Sequence, residues 1–177
     1  MELKATLNEP YTTQERADFI INYNNLQGCD IKFLEDRIEA WQYTDEEKLE
    51  QAKSEKYEEA NRKAFEYLES GEAVYEFESG KSIEATDGNI AKLGLALVNF
   101  ILAQDYTSTI EWNTKENENI QLNAAQLQVI VTGLQAIQAE VWTIKFPAYN
   151  TQIEEAQTIE AVNSIVIDYT IPQESGV

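Results

Sequence analysis

Histidine is absent from this 177-residue chain, and cysteine and methionine occur once each, as Cys29 and Met1. Without an imidazole, Ser-His-Asp and Cys-His catalysis, the common zinc ligand sets and haem ligation by histidine are excluded, and one cysteine cannot close an intramolecular disulfide. Bases are scarce: 13 Lys and Arg stand against 32 Asp and Glu, for a net charge of −19. That sign opposes a phosphate backbone, whose binding depends on cations that release counterions, so no direct nucleic-acid binding is expected. Anionic lipid headgroups repel such a surface as well, and no membrane binding is expected. Long apolar runs are missing: residues 93–103 are the most apolar, contain Asn99, and fall well short of the roughly 18 residues of a membrane span. Residues 1–10 hold no apolar run behind a basic residue, so no secretory signal is expected and the chain reads as soluble and cytoplasmic. Seven glycines are scattered without phosphate-loop spacing, and Asp87-Gly88-Asn89 lacks the rest of a calcium loop. No metal, cofactor or catalytic residue is expected.

What is present describes a folded protein. Apolar residues make up 43% and charged residues 25%, and the length suits one domain or one domain with a small appendage. Thr12 or Thr13 caps a helix in which Phe19, Ile20 and Tyr23 recur at helical spacing until Gly28. Ile31 and Phe33, then Ile38, Ala40 and Gln42, alternate around Glu35-Asp36 as a hairpin carrying Trp41. Residues 1–43 are therefore read as a small helix-hairpin unit whose thin core leans on something else or on a partner. Thr44-Asp45-Glu46-Glu47 is a capping box. The helix it opens runs to Ser70, with one short seam of Tyr57, Ala60, Ala64 and Tyr67, beside Phe65 and Leu68, on an otherwise charged rod. Residues 44–71 are read as a bridging helix and as the most exposed element.

Residues 72–177 are read as a C-terminal α+β domain: short β-hairpins packed on two core helices. Val74, Tyr75 and Phe77 face Ile83 and Ala85 across Ser79-Gly80-Lys81 as a hairpin. Thr86-Asp87-Gly88 caps a helix to Ala103 that is apolar on nearly every side and is expected to be deeply buried. A second hairpin spans residues 107–123 and carries Trp112. Asn123 with Gln126 caps a long helix whose rhythm Leu127, Ile130, Leu134, Ile137, Val141, Ile144 is ended by Pro147. Two short turns follow, around residues 153–156 and 159–162. In residues 165–171 the alternate positions Ile165, Ile167, Tyr169 and Ile171 are all apolar, which predicts a strand that pairs with a hairpin edge or is left for a partner.

The succession Tyr75-Glu76-Phe77 with Gly80 and Ile83, then Thr86-Asp87, Trp112-Asn113-Thr114, and Leu122-Asn123-Ala124 with Leu127 resembles an uncharacterised domain family of tailed-phage and prophage tail-region proteins. The resemblance covers about residues 74–150. Glu9-Pro10-Tyr11-Thr12, Glu15-Arg16 and Ile38-Glu39-Ala40-Trp41 are similar, more weakly, to N-terminal stretches of short phage tail-region proteins. Ala85-Thr86-Asp87-Gly88 departs from the family pattern, because the glycine falls in a first helical turn. The family carries no enzyme activity to transfer, and the resemblance implies a tail-fibre-associated or tail-assembly protein of the bacterial cytoplasm or the virion.

The expected function is accordingly that of a non-enzymatic tail-region accessory or assembly chaperone. Its partner would be a tail-fibre or baseplate protein, and a homo-oligomer is compatible with it. Trp41, Tyr43, Tyr57 and Tyr67 are the expected apolar anchors, with Ile167 and Tyr169 on the last strand as further partner-binding residues. The charge motivates an alternative, an acidic inhibitor that fills the basic channel of a host defence protein such as a CRISPR nuclease. A carboxylate-dependent hydrolase is the remote third reading and requires two buried, facing carboxyls. Pairs such as Glu46/Glu50 and Glu55/Glu59 are read instead as solvated acidic faces.

Overall fold

The structure, a computed structural model, describes residues 1–172. The fold is α+β, with small antiparallel sheets and several helices. The chain gathers into two units: Met1–Glu55 with Ala156–Asn163, and Lys56–Glu155 with the chain from Ser164 onward.

The first unit is built on a three-stranded sheet in which β1 (Glu2–Asn8) and β2 (Asp30–Phe33) both pair with β3 (Arg37–Gln42). The strand β1 was not expected. Only Ala5 and Leu7 of its seven residues turn partly inward, so its period-two signal is faint. The helix α1 (Thr13–Ile20) starts from a capping box of Thr12 and Glu15, and one wide helical turn, Ile21–Asn25, follows it. Phe19, Cys29, Ile38 and Ala40 form the core, with Ala5, Leu7, Tyr11, Tyr23 and Ile31 packed around them. Phe33 faces solvent instead. On the opposite face of β3, the buried carboxylate of Glu39 accepts from Arg37 Nε at 2.7 Å and Trp41 Nε1 at 2.8 Å. These two donors answer the desolvation that burial imposes on a charge.

The helix α2 (Asp45–Glu69) carries the expected Thr44 cap, with Glu47 N donating to Thr44 Oγ1 and Thr44 N to Glu47 Oε2. Its residues from Lys56 onward belong to the second unit. There the expected exposed rod is corrected: Ala60, Ala64 and Leu68 are buried in the core, because two alanines on one face let the helix approach closely, while Tyr57 and Phe65 remain outside.

The remaining elements of the second unit are β4 (Val74–Glu78), β5 (Lys81–Glu84), α3 (Asp87–Ala103), β6 (Thr109–Asn113), β7 (Asn119–Asn123), α4 (Ala124–Ala139) and α5 (Phe146–Glu155). The two hairpins, β4–β5 and β6–β7, form separate two-stranded sheets. The tip of the second is latched to the first: Ser82 N and Oγ donate to Glu116, and Lys115 N donates to Ser82 O. Helix α3 packs against α4, as expected. Ile83, Leu93, Leu122, Leu127, Ile130, Leu134 and Val141 fill the space between.

Three expectations about the later chain are corrected. Pro147 does not end the long helix: a wide turn, Glu140–Lys145, follows α4 and leads into α5. The chain stays helical through Pro147, and the wide turn before it is the kind of local widening that accommodates a helical residue without an N–H. The short turns become the end of α5 and a further helix, α6 (Ile159–Ser164). Among the described residues, 165–171 form no ladder with any strand, although their alternation holds: Ile167 and Tyr169 are buried and Val166 is exposed.

Candidate functional site

The helix α3 is where composition and burial part company. Its inward side, Ile90, Leu93, Leu97 and Phe100, meets the core, and Leu93 is its one fully buried residue. Deep burial on all sides was expected, but Ala91, Leu95, Val98 and Leu102 form a second stripe that faces solvent. Leu95 keeps 63% of its surface, Val98 49% and Leu102 77%, with Ile101 at 50% alongside. Spacings of three and four residues place Ala91, Leu95, Val98 and Leu102 on one side of the helix. The helix owes its closure to Thr86, which caps Asn89 N, and to Gln104 in the left-handed region at its end. Its charged residues are Asp87 and Lys92, so nothing ionic interrupts the outer stripe. Burying these side chains against another surface is worth about 1 kcal/mol or more apiece. Contiguous exposed apolar stripes are uncommon on soluble monomers.

The expected anchors divide between the two units. In the first, Trp41 is half-buried, with its indole N–H on Glu39 and the Lys32 ammonium 4.8 Å from its ring centre. Tyr43 is partly exposed beside Asp30, whose negative charge holds the phenol above its ordinary pKa. In the second unit, Tyr57 is exposed and stands edge-on to Phe146 at 5.4 Å. Phe146 meets Trp142 at 5.4 Å, and Trp142 meets the exposed Phe65 at 4.8 Å. This row of rings joins Tyr57 and Phe65, both on α2, through Phe146 and Trp142 from far along the chain. Tyr67, Ile167 and Tyr169 meet along one groove of about 340 Å³. Ile167 and Tyr169 lie within the core rather than on a free edge, and burial pushes the Tyr169 phenol up to about 12.

The ionisable groups are arranged as structural ties. Glu116 is held down to about 2 by the Ser82 hydroxyl and amide, and Asp105 to about 2 by Ser108 and Thr107. Glu39, Glu59 and Asp168 are likewise lowered, by donors from Arg37, Lys56 and Thr170 respectively. A carboxyl serving as a general acid needs the opposite displacement. Among the described residues no cluster of three His, Cys, Asp or Glu could hold a metal, and no helix is long and apolar enough to cross a membrane. A cavity of about 430 Å³ beside α3 is lined by Lys92, Lys115, Glu84, Glu111 and Trp112, with bases and acids in equal number. No protein-family model, curated protein or solved structure matches this chain.

Proposed function

We propose that this chain is a non-catalytic accessory of the phage tail region, tail-fibre-associated or chaperone-like in assembly, and that it acts by binding another protein through the outer face of α3. The exposed stripe of Leu95, Val98 and Leu102 carries this reading. An outward stripe of aliphatic side chains gains free energy when a partner covers it. The partner is a tail-fibre or baseplate component, met in the bacterial cytoplasm during assembly, and the acidic surface sets which partners approach.

Co-expression with tail-fibre and baseplate proteins, followed by size-exclusion chromatography, tests the proposal. Co-elution is expected, and it is lost in the Leu95→Asp/Leu102→Asp variant. Both positions are exposed, so the melting temperature of that variant stays close to the parent's. A monomer that captures no tail protein refutes the reading. The acidic-inhibitor alternative predicts a different outcome: binding to a basic defence protein that collapses as salt rises and ignores the α3 substitutions.

A further inference from the structure

Residues 165–171 of the second unit turn alternately inward and outward, yet no described strand accompanies them. Their walls are helices, which have no free ladder groups to offer, and side chains take the place of a neighbouring strand. Tyr149 Oη donates to Asp168 O at 2.7 Å and accepts from Asp168 N at 2.9 Å, so one hydroxyl satisfies both backbone groups of a residue. Lys145 Nζ donates to Thr170 O at 2.7 Å and to Asp168 O at 3.4 Å. Lys56 reaches Ile165 O at 3.4 Å and Lys63 reaches Ile167 O at 3.5 Å, while Ile171 N donates to Tyr67 Oη at 3.3 Å. Every one of these contacts is made to main-chain atoms, so none depends on which side chain the segment carries. Apolar side chains are read at alternate positions, where Ile167 and Tyr169 enter the core and Ile165 and Ile171 pack against it.

We infer that this groove is a recognition site for extended peptides with aliphatic or aromatic residues at alternate positions, and that residues 165–171 are its exchangeable resident occupant. Two features make the resident replaceable. Four of its seven polar contacts lie at 3.3–3.5 Å, near the limit of useful hydrogen bonding. The Tyr169 hydroxyl is buried with no hydrogen-bond partner, a cost that a competing segment with Phe at that position avoids. A partner chain offering the same alternation, free of that hydroxyl, displaces the resident and is held by the same lysines and tyrosines. The groove shares no residue with the outer stripe of α3, so this inference and the proposed function fail independently.

The test uses the full chain and a fluorescein-labelled synthetic peptide with the sequence of residues 164–172. The Ile167→Asn variant weakens the resident segment and leaves the groove walls intact. It is expected to bind the peptide at least tenfold more tightly than the unmodified chain does. A peptide with Phe in place of Tyr169 binds several-fold tighter still, and one with its apolar residues moved to the intervening positions does not bind. Lys145→Met in the Ile167→Asn background reduces capture, whereas Leu95→Asp/Leu102→Asp does not. If Ile167→Asn keeps its folded circular dichroism and captures no peptide, the inference is overturned. Hydrogen exchange on the unmodified chain decides the matter should that variant not fold. The amides of Asp168 and Ile171, which donate to the groove's tyrosine hydroxyls, are expected to exchange at least a hundredfold faster than those of Leu127–Leu134, and equal protection would mean that the segment never leaves its groove.

Discussion

Replacing Gly133 by alanine should destabilise a helix that ordinary propensity says it would strengthen. Gly133 lies inside α4, where alanine is favoured over glycine by about 1 kcal/mol. A Cβ there would stand 2.4 Å from Cε2 and Cζ of Tyr75 and 2.5 Å from its Cδ2. Carbon atoms in contact rest at about 3.5–4.0 Å, so the ring must retreat by more than ~1 Å. Tyr75 is not free to do so cheaply, since it belongs to β4, opposite Ile83, and packs on the core. Overpacking of this kind costs about 1–3 kcal/mol, and the propensity gain of about 1 kcal/mol offsets part of it, leaving a net loss of up to about 2 kcal/mol. Gly94 supplies the control. It also lies inside a helix, a Cβ there meets nothing within 4 Å, and Gly94→Ala should gain about 0.5–1 kcal/mol. Urea unfolding followed by tryptophan fluorescence reads the difference, because Trp112 and Trp142 both lie in the second unit. Adding Tyr75→Leu should restore most of the loss in Gly133→Ala. If Gly133→Ala proves as stabilising as Gly94→Ala, the seating of Tyr75 over Gly133 is wrong.

Other outcomes follow from the same ties. Glu116 is displaced downward to about 2 by the Ser82 donors, so its contribution is complete above its unfolded value of about 4.3 and is lost as pH falls towards 2. Acid unfolding of Glu116→Gln should accordingly be shallower between about pH 4.5 and 2 than that of the parent, in a circular-dichroism titration. Asn123 Oδ1 accepts from Gln126 N at 3.0 Å and Gln126 Oε1 from Asn123 N at 3.1 Å. Asn123→Ala should cost about 1 kcal/mol in urea midpoint analysis, and Asn123→Asp should recover most of it. Thr44→Ala removes the equivalent cap of α2, with a loss of similar size, about 0.5–2 kcal/mol.

Caps and turns were the legible part of this chain. Thr44, Thr86 and Asn123 each cap the helix that their spacing announced, because a cap is decided by neighbours within one turn. The hairpins around Gly80 and residues 114–118 were visible for the same local reason. What eluded the sequence depended on distant partners. The strand β1 has two half-inward residues and exists because β3 offers its edge. The outer face of α3 reads as core from composition, since Leu95 and Leu102 look the same covered or bare. For residues 165–171 the parity was readable but the wall was not: alternation marks which side chains turn inward, whereas the helices that receive them are set by the whole unit. Among the expected anchors, Tyr67, Ile167 and Tyr169 meet in one groove, and Tyr57 joins a row of rings whose Trp142 and Phe146 lie far along the chain.

The latch between the hairpins has a practical side. A hairpin tip is the customary place to insert an epitope, a fluorophore site or a short affinity sequence. The tip at residues 114–118 is closed to such use, because Glu116 grips Ser82 and the Lys115 ammonium reaches Gly71 O at 2.8 Å. The turn at Ser79–Gly80 makes no such tie to another element: Gly80 N donates to Glu76 of the same hairpin, and the space beside it is clear for 4 Å, so an insertion that keeps Gly80, with its φ of +74°, is accommodated. A tag placed there would report on partner capture while leaving the outer stripe of α3 and the peptide groove untouched.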